Sequence, residues 1–297
     1  MTSVHTRFAD LFEGRTDAVG LWDGGCSREP VSLATFECHL MGWRKFGVYP
    51  LRDDGLVKWG CSDIDVDDFD AACNLQTAFA VKGIHSFVEK TRRGYHVWVF
   101  ASEWVTARVM RRAFLAAHAA IGLPPKEVNP KQEEAKGLGN YVRLPYPGAL
   151  TNGDERQMLL SDGLPIDLEA FLSLAEERLV SGAQLSPLAS LYKPAEKVSA
   201  VGIRASDLGV AEGYVNGYIR QVWVNGPLKH QDRSNVLCYL AHLMREYGTP
   251  LEHALAILRD ADRRWGKFHG RDDAEEQIVK VLETAYSKPE GTNRNAF

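Results

Sequence analysis

Carboxylates crowd the end of one short stretch, VKWGCSDIDVDDFD, residues 57–70: Asp63, Asp65, Asp67, Asp68 and Asp70. In an extended chain side chains alternate between faces, so Asp63 and Asp65 are expected to point the same way while Ile64 turns into a core. Two carboxylates held on one strand face suit hard divalent cations. An isolated Asp-x-Asp is also what a solvated acidic turn looks like. A calcium loop fits only at its start, because its sixth position is Asp68 where Gly is needed and its twelfth is Asn74 where Glu is needed.

Other residues with chemical capacity lie downstream. His96 sits in RGYHVWVF, a strand pattern that sets it opposite in face to Tyr95 and Val97. A histidine near bound metal and a polyphosphate can donate to a phosphate oxygen. The turn before it carries Lys90, Arg92 and Arg93, a basic tip for a nucleic-acid backbone or a triphosphate, or simply a solvated turn. In KEVNPKQEEAKGLGNYVRLPYPG, residues 126–148, Glu127 can supply a third carboxylate from a strand. Lys131, Gln132, Asn140 and Arg143 are donors suited to phosphates and sugar hydroxyls, and Gly137 and Gly139 permit close backbone approach.

Positioning these residues requires an ordered set of elements. A covering helix is expected within residues 6–22, a helix over 33–42, a strand over 46–51, and a turn at Asp53-Asp54-Gly55 leading into the Asp63 strand. Asp67 or Asp68 can cap a helix running to about residue 81, ended by Gly83. Strands follow over 84–89 and 95–100, then a helix over 104–121 and an extended piece over 126–129. On that helix Met110, Phe114, Ala117 and Ile121 form an apolar stripe, and Arg108, Arg111 and Arg112 lie away from it. Counted from residue 57 the order is β-α-β-β-α-β, that of a ferredoxin-like or RNA-recognition-like sheet with one face on helices and the other open to ligands. Residues 141–144 and 157–160 read as further strands and 167–180 as a closing helix.

Three of these motifs, Asp63-Ile64-Asp65, Gly94-Tyr95-His96 and Glu127-Val128-Asn129-Pro130-Lys131-Gln132, resemble in order and rough spacing the motifs of archaeo-eukaryotic primases. The chain looks closest to the primase-polymerases of phages, plasmids and mobile elements, with flanking similarity at HLMGWRKFGVYPLRDDGLVKWGCSDID and GLGNYVRLPYPG, and the resemblance covers about residues 7–180. It implies an α+β fold: an RNA-recognition-like catalytic core with additional α/β elements, followed by a small all-α domain. It also implies two Mg²⁺ or Mn²⁺ ions on Asp63, Asp65 and Glu127. His96, with Lys131, Gln132, Asn140 and Arg143, would then meet the incoming dNTP or NTP. The implied activity is template-directed primer synthesis and extension on single-stranded DNA. Gly94 stands where the second motif often has serine, and Glu127 where aspartate is commoner, so Glu133 or Glu134 remain open as substitutes.

Composition bounds the rest. The 297 residues carry a net charge of −4, 45% hydrophobic and 25% charged residues, values of a soluble globular protein that neither announce nor exclude nucleic-acid binding. No apolar run approaches the roughly 20 residues of a membrane span, and no secretory leader is read at the start. The five cysteines show no CxxC spacing, which disfavours a disulfide framework and fits the cytoplasm of a bacterial, phage or plasmid setting. Cys26, Cys38 and His39 leave a structural zinc conceivable beside the reading as free thiols. The expected domains are a catalytic 1–180, a linker 181–212 poor in charge, and a helical 213–297. In the last, a capping box at Thr249-Pro250-Leu251-Glu252 marks a helix start. Arg259, Arg263 and Arg264 there share a helix face that could hold template or merely face solvent. No GxxxxGK[ST] motif is present, so a helicase would be a separate partner. Two further classes stay open: a metal-dependent nuclease, which two-metal carboxylate sites also serve, and a non-catalytic single-strand-binding module. The second would display aromatics on its open sheet face, where this chain places carboxylates.

Overall fold

The computed structural model describes residues 3–64, 67–151, 156–194 and 198–287. The fold is mixed α/β, and the chain divides into two compact units, Met1–Lys193 and Pro194–Phe297.

In the first unit the described elements run α1 (Val4–Leu11), β1 (Val19–Leu21), β2 (Cys26–Ser27), α2 (Leu33–Leu40), β3 (Phe46–Val48), β4 (Leu56–Ile64), α3 (Phe69–Ala80), β5 (Phe87–Lys90), β6 (Tyr95–Thr106), α4 (Ala107–Ala120), β7 (Glu127–Asn129), β8 (Val142–Arg143), β9 (Met158–Leu159), α5 (Leu168–Glu177) and α6 (Gly182–Ser190). Among the described residues the strands form two antiparallel sheets, ordered β2-β1-β3-β8 and β7-β4-β6-β5-β9.

The larger sheet has two dry faces, as the period of two demands. Ile64, Val88, Val97 and Val99 pack on α3 and α4, against Leu75, Phe79, Met110 and Phe114. Gly60 lies where α4 crosses β4: a Cβ there would stand 2.6 Å from Phe114 and 2.7 Å from Met110. Trp59, Cys61, Phe87, Trp98 and Phe100 turn the other way, onto Phe8 and Phe12 beside α1 and onto Phe171 of α5. A register irregularity between Val57 and Trp59 puts these two residues on opposite faces. In the smaller sheet the Tyr141 ring lies over Gly20 and Gly47, where Cβ atoms would come within 2.0 Å and 2.5 Å of it, so only glycine fits at either place.

Several boundaries differ from the sequence reading. Residues 6–22 do not form one helix: α1 stops at Leu11, and Val19–Leu21 pairs as a strand with β2 and β3. Trp104 belongs to β6, because Val105 and Thr106 still pair with Val57 and Leu56, and Thr106 then caps α4 through a bond from Val109 N–H. Asp68 caps α3, accepting from the Ala71 N–H at 3.1 Å, in line with the expected cap. The stretch 181–212 is not bare linker: Ser181 and Gln184 make a capping box that starts α6, and Leu185 and Leu188 are buried in the core with α4.

In the second unit the described elements are helical: α7 (Leu208–Ala211), a 3₁₀ turn (Glu212–Tyr214), α8 (Gly217–Asn225), α9 (Arg233–Glu246), α10 (Leu251–Trp265) and α11 (Ala274–Tyr286). Its core joins Ile219, Trp223, Leu240, Met244, Leu255, Leu258 and Leu282. The helix expected at Thr249–Glu252 starts one residue later than read, at Leu251, and Thr249 makes no cap: its hydroxyl donates to the Tyr214 carbonyl at 3.1 Å.

Candidate active site

Antiparallel register brings four polar residues into one row across the larger sheet. Glu127 of β7 faces Asp63 of β4, Asp63 faces His96 of β6, and His96 faces Glu89 of β5. Alternation sets these side chains on the face shared with Trp59, Cys61 and Trp98. Ile64 turns to the α3–α4 core, as expected. Asp65 lies outside the described residues.

The row is graded in burial. Asp63 keeps 29% of its side chain exposed, His96 12% and Glu89 none. His96 Nε2 stands 3.7 Å from Asp63 Oδ1, and its Nδ1 stands 3.0 Å from Glu89 Oε2. Glu89 Oε2 also accepts from the Trp98 indole N–H at 2.7 Å, and Arg156 Nη2 stands 2.8 Å from Oε1. Burial pushes the Glu89 carboxyl up, but Arg156 and His96 outweigh it and hold the group below the ordinary carboxylate range. At the other end Glu127 Oε1 accepts from Asn140 Nδ2 at 3.0 Å and Asn129 Nδ2 at 3.3 Å.

Two interactions from α4 brace β7 and β4 from behind. Arg111 is largely buried and donates to the Val128 and Pro130 carbonyls at 2.7 Å and 3.1 Å, its guanidinium pulled below its usual range by burial. Ser62 Oγ lies 2.7 Å from His118 Nε2, whose Nδ1 lies 3.0 Å from the Leu123 carbonyl oxygen. Burial lowers the His118 pKa to about 4, so the ring is neutral, donating through Nδ1 and accepting from the serine.

A cationic group flanks the histidine. The Trp22 ring has Lys45, Arg143 and Arg156 each 5.7 Å from its centroid, and Arg156 Nη2 also donates to the Arg143 carbonyl at 3.2 Å. Arg143 itself is exposed, and among the described residues no carboxylate pairs with it. Such a group suits a polyanion.

The remaining residues singled out from sequence fall as follows. Lys131 is exposed. Gln132 packs against Gly139, its buried Oε1 without a partner among the described residues. Asn140, expected as a phosphate or sugar donor, is engaged with Glu127. Glu133 is engaged elsewhere: Arg108 and Arg112 hold it at 3.1 Å and 2.9 Å and keep its carboxyl low against the upward push of burial. Glu134 is exposed and pairs with Lys136. Arg92 and Arg93 are exposed at the hairpin tip, while Lys90 pairs with Asp67 and lies over the Tyr95 ring. In the second unit Arg259 pairs with Glu275 and Arg264 with Asp260, leaving Arg263 the most exposed of the three, 3.9 Å from Asp260. His39 is no zinc ligand, since backbone groups occupy both ring nitrogens: Nε2 meets the Pro145 carbonyl and Nδ1 the Phe46 N–H. Among the described residues no three His, Cys, Asp or Glu side chains converge as a metal cluster.

Glu89, Trp98 and Arg156 were missed by sequence reasoning. Glu89 was legible: counting back from the TRRG turn puts it opposite His96, a charge on the same strand face as Phe87. Arg156 carries no such signal, being brought in by a loop.

Comparison with known proteins agrees with the motifs. Residues 25–160 match a family model described as the archaeo-eukaryotic primase domain of the TOTE conflict system. Among solved structures, a crystal structure of primase RepB′ is similar at 14% identity, covering 96% of this chain and 96% of that one, with a TM-score of 0.31. Curated proteins yield no match. The row from Glu127 to Glu89 lies within the matched segment, so the residues of that row fall where this chain is similar to the archaeo-eukaryotic primase domain.

Proposed function

We propose that this chain is a DNA primase-polymerase, transferring nucleotidyl groups from dNTPs or NTPs to start and extend primers on a single-stranded DNA template. The observation that carries the reading is the row Glu127–Asp63–His96, with carboxylates at one end and the Lys45, Arg143 and Arg156 cations beside the other. The β-α-β-β-α-β order with strand order β7-β4-β6-β5 supports an RNA-recognition-like core.

The donor set fits a hard divalent cation. Asp63 keeps part of its side chain exposed, and Glu127 has one oxygen held by two amides and the other left for a ligand. Asp63, Asp65 and Glu127 would hold Mg²⁺ or Mn²⁺, which when bound lowers the pKa of a primer 3′-hydroxyl and offsets charge on the phosphates. His96 then orients the triphosphate through Nε2, and the Arg143 guanidinium meets phosphate oxygens as charge develops on the leaving pyrophosphate. Lys131, Arg92 and Arg93, all exposed, are assigned to hold nucleic acid or phosphate. The helical second unit, with Arg263 as its freest arginine of the three, is assigned to template binding or initiation. A separate helicase and a cytoplasmic setting complete the reading, and no described helix is long and apolar enough to cross a membrane.

The test is primer synthesis and extension on single-stranded DNA with labelled dNTPs or NTPs, with Mg²⁺ or Mn²⁺. Wild-type products are expected to vanish in Asp63→Ala and in Asp65→Ala, with the fold retained. Incorporation by either purified variant refutes the assignment, and metal-dependent degradation of the template instead makes the protein a nuclease.

A further inference from the structure

We infer that Glu89 is a positioning residue: it takes the Nδ1–H of His96, fixes the ring, and leaves Nε2 as the atom presented to the nucleotide. This rests on the proposed role of His96 and extends it to a residue that the sequence reading left unassigned.

The argument starts from burial. Glu89 is wholly buried, yet faces out of an apolar strand among Trp98, Phe87 and Met158. A carboxylate without water is costly unless it is compensated, and here Oε2 is met by Trp98 Nε1 at 2.7 Å and His96 Nδ1 at 3.0 Å, while Oε1 takes no hydrogen bond among the described residues and has only the Arg156 charge, Nη2 at 2.8 Å, against it. Packing alone would be served by an apolar residue at that place. The charge is kept where it touches a histidine whose other nitrogen faces Asp63.

Two proton arrangements compete at His96 Nδ1. Arg156 Nη2 stands 3.2 Å from it and could donate to an unprotonated nitrogen. In that case a lone pair would face the Glu89 carboxylate at 3.0 Å with no proton between them, a repulsion in a dry site. With the proton on Nδ1, Glu89 accepts two N–H groups through Oε2, the Arg156 charge stands against Oε1, and Arg156 Nη2 donates to the Arg143 carbonyl rather than to the ring. The second arrangement is the one the geometry assigns. Arg156 is then the counter-ion of the positioning carboxylate. It reaches the site from a backbone at φ 56°, a conformation seldom adopted by residues other than glycine, asparagine and aspartate.

The test reads the ring directly. Protein carrying ¹⁵N-histidine is examined by long-range ¹H–¹⁵N correlation at neutral pH without metal, His96 being assigned by the loss of its signals in His96→Gln. In the wild type Nδ1 is expected to be protonated, and in Glu89→Gln the proton is expected to leave Nδ1. A wild-type Nδ1 found unprotonated overturns the inference, and this arm needs neither a folded Glu89→Gln nor an active enzyme. If primer synthesis is absent altogether, the spectrum still decides the ring state while the functional reading fails separately. In an active enzyme Glu89→Gln is expected to lower kcat/KM for the nucleotide about 10–100-fold, as loss of a ligand-orienting partner typically does, chiefly through KM. Affinity for single-stranded DNA stays unchanged. Wild-type kinetics in Glu89→Gln, or a fall in kcat alone with KM untouched, sinks the positioning role.

Discussion

Acid should act on this protein first at buried histidines, and His39 allows the effect to be worked through. The ring is fully buried, packed between Phe8 and Phe46, with Nε2 donating to the Pro145 carbonyl at 2.9 Å and Nδ1 accepting the Phe46 N–H at 3.3 Å. A second ring proton would put two donors face to face at Nδ1 inside an apolar cluster. Burial first, and then the Arg156 charge, bring its pKa from 6.5 to about 4, against the opposing pull of the Pro145 carbonyl. Between those values the unfolded chain binds the proton and the folded one refuses it. Stability from this group is therefore full above pH 6.5 and drains away as the pH falls toward 4. A drop of about 2.5 units at 1.36 kcal/mol each corresponds to about 3 kcal/mol, a sizeable share of a domain stability of about 5–15 kcal/mol. His118, whose pKa is also lowered to about 4, adds a parallel loss. Urea unfolding at half-unit steps from pH 7.5 to 4.5 measures the slope of stability. His39→Gln should start less stable at pH 7.5 yet lose about 1.4 kcal/mol less per pH unit between 6 and 5 than the wild type. Equal slopes in the two proteins, or a His39 ring titrating near 6.5 by NMR, would refute the reasoning.

Two further outcomes follow from the packing around the site. Gly60→Ala should destabilise the first unit by about 1–3 kcal/mol in thermal or urea unfolding, because its methyl would collide with Phe114 and Met110 on α4; a neutral result would mean that α4 yields. Arg111→Met keeps the aliphatic bulk but abandons the Val128 and Pro130 carbonyls, at a cost of about 1–3 kcal/mol, and frees β7. Faster amide exchange at Asn129 in that variant checks the claim, and unchanged protection there would count against it.

The legible part of this structure is the part governed by local periodicity. Asp63 and Ile64 take opposite faces because strands alternate, and Asp68 caps α3 because a short carboxylate before an apolar run does so. The motifs of the row were readable for the same reason: each lies on its own strand, and the hairpin fixes His96 against Glu89. What escaped is set by tertiary pairing. Residues 19–21 carry no strong strand signal and become a strand because β2 and β3 flank them. The linker reading of 181–212 missed α6, because Leu185 and Leu188 are too few to signal a core helix until α4 is there to receive them. Asn140 and Glu133 were judged by residue type, whereas the partners that redirect them, Glu127 and the Arg108–Arg112 pair, come from other elements.

The two faces of β4 lead separate evolutionary lives. Gly60, Ser62 and Ile64 answer to the helices, whereas Trp59, Cys61 and Asp63 answer to the site and to the aromatic layer beneath it. A lineage can therefore exchange volume between Ile64 and the α3–α4 layer, residue against residue, and leave the chemistry of the neighbouring position untouched. A one-residue insertion inside the strand has no such escape, since it delivers Asp63 to the helices and Ile64 to the opposite face in a single event. Length changes in this family of shapes should thus collect in the connections, and the strand should vary by substitution alone.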